Sequence, residues 1–158
     1  MSFITPNGIY RVKQQISKIN STHISDYKVA IEASAERGVN EGNDEYFTLL
    51  HEIKKYEDQV SDLLKVLSDS EVLDAPTSNE TIQLGTRVYV RDEETGVASD
   101  FVVVPEAEVT FHKNAVTPSS PMGSALMGLA VGDVAEFDTP ARSRCLEVLK
   151  IEINHTLF

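Results

Sequence analysis

Apolar residues fall at Tyr46, Leu49, Ile53, Tyr56, Val60, Leu63 and Leu67, in alternating steps of 3 and 4. An α-helix repeats about every 3.6 residues, so this set forms one narrow seam, as in a coiled coil. Ile9, Val12, Ile16 and Ile19 repeat the 3, 4, 3 spacing upstream. That seam then meets Asn20-Ser21-Thr22, poor helix formers, and resumes one residue out of phase at Ile24, Tyr27 and Ile31. The slip predicts a local irregularity or bend, not necessarily a break. Thr5-Pro6 suits a helix start, with Thr as N-cap and Pro at the first helical position. Gly38 suits a C-terminal stop. Two seamed helices joined by the polar stretch from Arg37 to Glu45 predict an antiparallel hairpin. The second helix, from about Asn43 to about Ser70, spans roughly 40 Å at ~1.5 Å per residue. That length predicts a projecting outer part.

After Asp74-Ala75-Pro76-Thr77-Ser78-Asn79, a polar linker, the period changes to that of strands. Thr86 to Arg91 alternates, and Asp92-Glu93-Glu94-Thr95-Gly96 reads as a hairpin turn. Phe101 to Val104 is apolar, and Pro105 ends it. Pro121 to Leu129 reads as a short helix capped by Ser120. Val134 to Phe137 and Arg144 to Ile151 read as two further strands. The expected fold class is α+β: a helical hairpin over 1–75, then a small antiparallel sheet with one short helix over 80–158.

Charge removes some functions. The formal net charge is −11, and acids outnumber bases both before and after Pro76. With no basic stripe, direct DNA binding is not expected as the main activity. Net acidity favours a basic protein surface or a metal-bearing site as partner. Cys145 stands alone, so no internal disulfide forms, and a buried structural thiol is its expected role. The N-terminus has no basic stretch followed by an apolar run, and no apolar run reaches the ~20 residues that span a bilayer. A cytoplasmic location is therefore expected, where glycosylation triplets at Asn20, Asn79 and Asn154 have no meaning.

Candidate chemistry is sparse. The histidines at 23, 51, 112 and 155 have no ligand-type spacing, and no nucleophile, phosphate-loop or metalloprotease motif occurs. Glu41, Asp44 and Glu45 could complete the coordination of a magnesium ion or position a water, or could simply form a solvated turn.

Several local motifs resemble the Gre family of bacterial transcript-cleavage factors. Thr5-Pro6-Asn7-Gly8 resembles the family's opening T-P-x-G. Gly38 to Tyr46 resembles its tip, G-D-L-S-E-N-A-E-Y. Val116 to Gly128 resembles I-S-x-x-S-P-(I/L)-(A/G)-x-A-L-(I/L)-G, and Val131-Gly132-Asp133-Val134 resembles the G-D-x-V that follows. The resemblance implies a coiled coil that enters the secondary channel of RNA polymerase. It implies an FKBP-like C-terminal domain that docks outside the channel, with Ser119, Ser120, Pro121, Met122 and Leu126 at the contact. In the family two acidic tip residues help to hold a second catalytic Mg²⁺, and the polymerase, not the factor, hydrolyses the RNA. Here Val39 and Gly42 occupy the two acidic positions, and neither side chain can ligate a metal.

The reading that follows is a monomeric, polymerase-binding regulator of elongation. It has no metal of its own, at most shares Mg²⁺ with the polymerase, and stimulates cleavage weakly or not at all. The alternative is a conventional cleavage factor acting through Glu41 and Asp44. A further alternative, a prolyl isomerase or chaperone-like module, needs an aromatic-lined pocket. The second half offers Tyr89, Phe101, Phe111, Phe137 and Phe158 for one.

Overall fold

A computed structural model describes residues 2–158. The chain divides into two compact units: Ile9–Asp69, and the residues up to Gly8 together with Ser70–Phe158.

The first unit is helical. Helix α1 (Pro6–Lys18) passes into a π-helical turn at Ile19–Ile24 and then into α2 (Ser25–Ala35). Helix α3 (Asp44–Asp69) returns. The π turn accounts for the slip in the hydrophobic pattern. Ile19 and Ile24 lie five positions apart, and a π turn absorbs one more residue than an α turn. The side chains there contribute: the Ser21 and Thr22 hydroxyls both donate to the Lys18 carbonyl. Such back-bonding bends helices. The chain stays helical throughout, so the slip is a local irregularity rather than a break.

The two arms run antiparallel. The rings of His23 and Tyr56 stack with centroids 4.4 Å apart, and near the turn the Asn43 side chain bonds to Ser34. Ile24, Ser34 and Ile53 are buried between them, and Tyr46, Leu49, Tyr56, Val60 and Leu63 are half-buried. Phe47, Leu50 and Leu64, off the seam, are exposed.

The second unit holds a five-stranded sheet, ordered β5-β4-β3-β7-β6. Its strands are β3 (Thr86–Asp92), β4 (Ala98–Val103), β5 (Ala115–Val116), β6 (Val134–Asp138) and β7 (Ser143–Ile153). Strand alternation directs Val88, Val90, Val103, Leu146 and Val148 into the core and Arg87, Tyr89 and Arg91 outward. Helix α4 (Pro121–Leu126) contributes Leu126 to that core. The expected all-antiparallel sheet needs one correction. β5 runs parallel to β4, because a 3-10 turn at Glu106–Phe111 carries the chain back before β5 begins.

The expected boundary between segments 1–75 and 80–158 also needs correction. Strand β1 (Ser2–Ile4) pairs in parallel with β2 (Ser70–Val72) inside the second unit. Thr5 follows, and its N–H donates to the fully buried Glu108 carboxylate at 2.8 Å; its hydroxyl donates to the other carboxylate oxygen. Helix α1 therefore begins beside Glu108. Gly8 sits so close to that carboxylate that a Cβ there would collide with it.

Candidate functional site

The first candidate lies at the turn between α2 and α3. Gly38 adopts φ 101°, a conformation that disfavours side chains, and ends the first arm. Val39 stands exposed at 61% of its surface, followed by exposed Asn40, Glu41 and Gly42. The Asn40 side-chain oxygen accepts from Gly42 N–H at 3.0 Å, closing a small turn. Asn43 is buried: its Nδ2 donates to the Ser34 and Gly38 carbonyls, each at 2.8 Å. Its Oδ1 accepts from Tyr46 N–H at 3.2 Å, capping α3.

The three tip acids occupy different situations. Asp44 and Glu45 lie in the first turn of α3, where negative charge complements the helix dipole. Glu45 forms an exposed ion pair with Arg37. Glu41 lies exposed in the turn itself. Among the described residues no three of His, Cys, Asp and Glu gather as a metal site. The donor set does not fit a magnesium ion held by the tip alone. Val39 and Gly42 offer no side-chain oxygen, and Glu45 is engaged by a cation.

The second candidate lies at the start of α4. Ser120 is the N-cap: its hydroxyl oxygen accepts from Gly123 N–H at 3.0 Å while donating to the Thr117 carbonyl at 2.8 Å. Gly123 packs so tightly beneath the Thr117 carbonyl that an added Cβ would collide with it. Ser119 and Pro121 are exposed, and the Ser119 hydroxyl bonds to Glu106. Met122 is half-buried and lines a cleft of about 370 Å³ with Val116, Pro121, Phe137, Pro140 and Arg144. Arg144 lies over the Phe137 ring at 5.7 Å and reaches Asp92 at 3.3 Å.

Leu126 must be withdrawn from the expected contact residues. It is 0% exposed and packs into the sheet core, so its role is to seat α4. Ser119, Pro121 and Met122 do gather at one surface, with Ser120 shaping it. Pro140 and Arg144 were not foreseen there, and Phe137 was offered only for an aromatic-lined pocket. They come from the β6–β7 hairpin, and no local signal says which hairpin flanks α4; only the Thr139-Pro140 turn marks a place where the chain reverses. Cys145 is half-buried in β7, and burial pushes its thiol pKa up, with Glu136 next in effect.

The architecture is that of a two-unit α+β protein: an antiparallel helical arm with a polar turn, and a sheet module with an apolar cleft beside its short helix. Residues 77–153 match the family described as transcription elongation factor GreA/GreB, C-terminal. That match supports a Gre-family transcription elongation factor. Transcription elongation factor GreA of Ruegeria pomeroyi is 29% identical over 149 residues, covering 94% of this chain and 96% of the relative. GreA of Thermotoga sp. strain RQ2 is 24% identical over 148 residues, covering 94% and 95%. Among solved structures, GreA factor homolog 1 (Gfh1) of Thermus thermophilus is similar over 96% of this chain and 99% of that one. It shows 27% identity and a TM-score of 0.43. No helix among the described residues is long and apolar enough to cross a membrane.

Proposed function

We propose that this chain binds RNA polymerase and regulates elongation, its helical arms forming a coiled coil that enters the secondary channel. The sheet module, FKBP-like in fold on this reading, docks at the channel entrance. Cleavage of backtracked RNA is stimulated weakly or not at all. Chemistry stays with the polymerase, and the chain itself has no reaction to catalyse. The observation that carries this reading is the tip. An apolar Val39 stands where the family resemblance calls for an acid, Gly42 stands at the second such position, and Glu45 is engaged by Arg37. A second metal ion in an in-line displacement needs oxygen ligands held in place, and these positions supply none.

A transcript-cleavage assay on a stalled, backtracked polymerase tests it. The natural chain is expected to give little cleavage, and Val39→Asp with Gly42→Glu to raise it while polymerase affinity stays nearly constant. Strong cleavage by the natural chain, abolished by Glu41→Ala with Asp44→Ala, would instead establish the conventional-factor reading.

Docking is assigned to Ser119, Pro121 and Met122 beside the apolar cleft. Asp138 lines the cleft and its carboxylate accepts from the Ser143 hydroxyl, while the Glu106 carboxylate accepts from the Ser119 hydroxyl. Apolar surface flanked by such acids suits a partner segment with apolar anchors and basic flanks. Ser119→Arg is the test substitution, since Ser120 caps α4 and its loss would confound binding with folding. Weaker polymerase binding with an unchanged melting temperature is expected; unchanged binding would refute the assignment.

A further inference from the structure

We propose that Asn43 is the positioning residue of the tip: its side chain fixes the turn so that positions 39 to 42 are presented in one geometry. The functional part of this rests on the polymerase-channel reading above. A helix end leaves carbonyls without intrahelical partners, and a helix start leaves N–H groups in the same state. One side chain answers both here. Nδ2 donates to the Ser34 and Gly38 carbonyls at the end of the first arm, and Oδ1 accepts from Tyr46 N–H at the start of the second. The Asn43 backbone N–H also closes the turn, donating to the Asn40 carbonyl at 3.0 Å. The amide is 8% exposed, so these bonds are shielded from competing water.

The geometry distinguishes pinning from capping. Capping needs only an acceptor, which Asp and Ser supply as well as Asn. Pinning needs the two N–H donors, which neither Asp nor Ser has at that place. Within Gly38–Asn43 the turn has one other side-chain bond, from Gly42 N–H to Asn40, and across it runs only the exposed Arg37–Glu45 ion pair, which water screens. With Nδ2 removed, the stretch 39–42 loses its tie to the first arm while α3 keeps its cap. A pinned tip holds whatever stands at positions 39 and 42 in one geometry relative to the reacting groups.

Amide hydrogen exchange by NMR on the full chain tests the pin directly, in Asn43→Ser and Asn43→Asp. In both, the Gly42 and Asn43 amides are expected to exchange about tenfold faster, while Tyr46 and Ile53 keep their protection. Asn43→Ser introduces no buried charge and so guards against a folding artefact of the Asp variant. Unchanged exchange at Gly42 and Asn43 would overturn the inference. So would equal loss of protection at Ile53 in both variants, which would make Asn43 a general fold residue.

The second arm is functional. In the Val39→Asp, Gly42→Glu background, adding Asn43→Ser is expected to lower cleavage at saturating factor by on the order of 100-fold. Polymerase affinity should hold. A cleavage rate untouched by Asn43→Ser would overturn the positioning role. If the two restored acids fail to raise cleavage at all, the channel reading falls, and the exchange result alone decides whether the pin exists.

Discussion

At Gly123 the absence of a side chain is a packing requirement. The Thr117 carbonyl oxygen fills the space a Cβ would take, and Ser120 bonds to both residues from below. Gly123→Ala is expected to destabilise the sheet unit by about 1–3 kcal/mol, read as a lower urea midpoint, since the carbonyl is backbone and cannot step aside. Asp92 sets a pH dependence. Its carboxylate accepts from the Thr95 and Glu94 N–H groups and faces Arg142 and Arg144. These hold its pKa below the ordinary carboxylate value, the Thr95 bond contributing most, against an opposing effect of burial. The lowered pKa means that Asp92 stabilises the folded chain above its unfolded value of about 3.9. That contribution is lost as pH falls through the folded value. Asp92→Asn should lower the urea midpoint at pH 7, and the gap from the natural chain should narrow at pH 3.

Among the elements, α3 separates seam from flank most clearly. Ile53→Ala is expected to cost about 2–5 kcal/mol of stability, because Ile53 is buried against the opposing arm. Leu64→Ala, on a leucine with half its surface exposed, should stay within about 0.5 kcal/mol. Calorimetric melts of the two variants compare them directly. The same seam shows why the arms were legible in the sequence. A 3–4 spacing sustained from Tyr46 to Leu67 has no reading but a helix, and the five-residue step from Ile19 to Ile24 announced the π turn as a phase slip. Ser120-Pro121 likewise announced the start of α4. What stayed hidden was set by distant pairing. Strand β1 is three residues long, too short to show a period, and its partner lies 68 positions away, as Ser2 opposite Ser70. The β6–β7 side of the cleft depends on which strands become neighbours in the sheet. The tip acids were visible as residues, but the bonds of Asn43 that arrange the turn were not, because an asparagine at a helix start reads simply as a cap.

For the molecule as a whole, the tie between Thr5 and Glu108 joins positions 103 residues apart. Thr5→Val keeps the shape of the side chain and removes the hydroxyl, leaving a fully buried carboxylate oxygen without that donor. A loss of about 1–3 kcal/mol is expected, measured by urea unfolding of the full chain.

That same separation has a consequence for how the protein is made. At about 5–20 residues per second, Glu108 is synthesised roughly 5–20 s after Thr5. Throughout that interval β1 has first no strand to pair with, and then no carboxylate to anchor the threonine beyond it. The helical arms meanwhile have every residue they need once Asp69 has emerged. On the ribosome the middle of the chain is therefore complete before its beginning, and the opening residues are among the last to find their place.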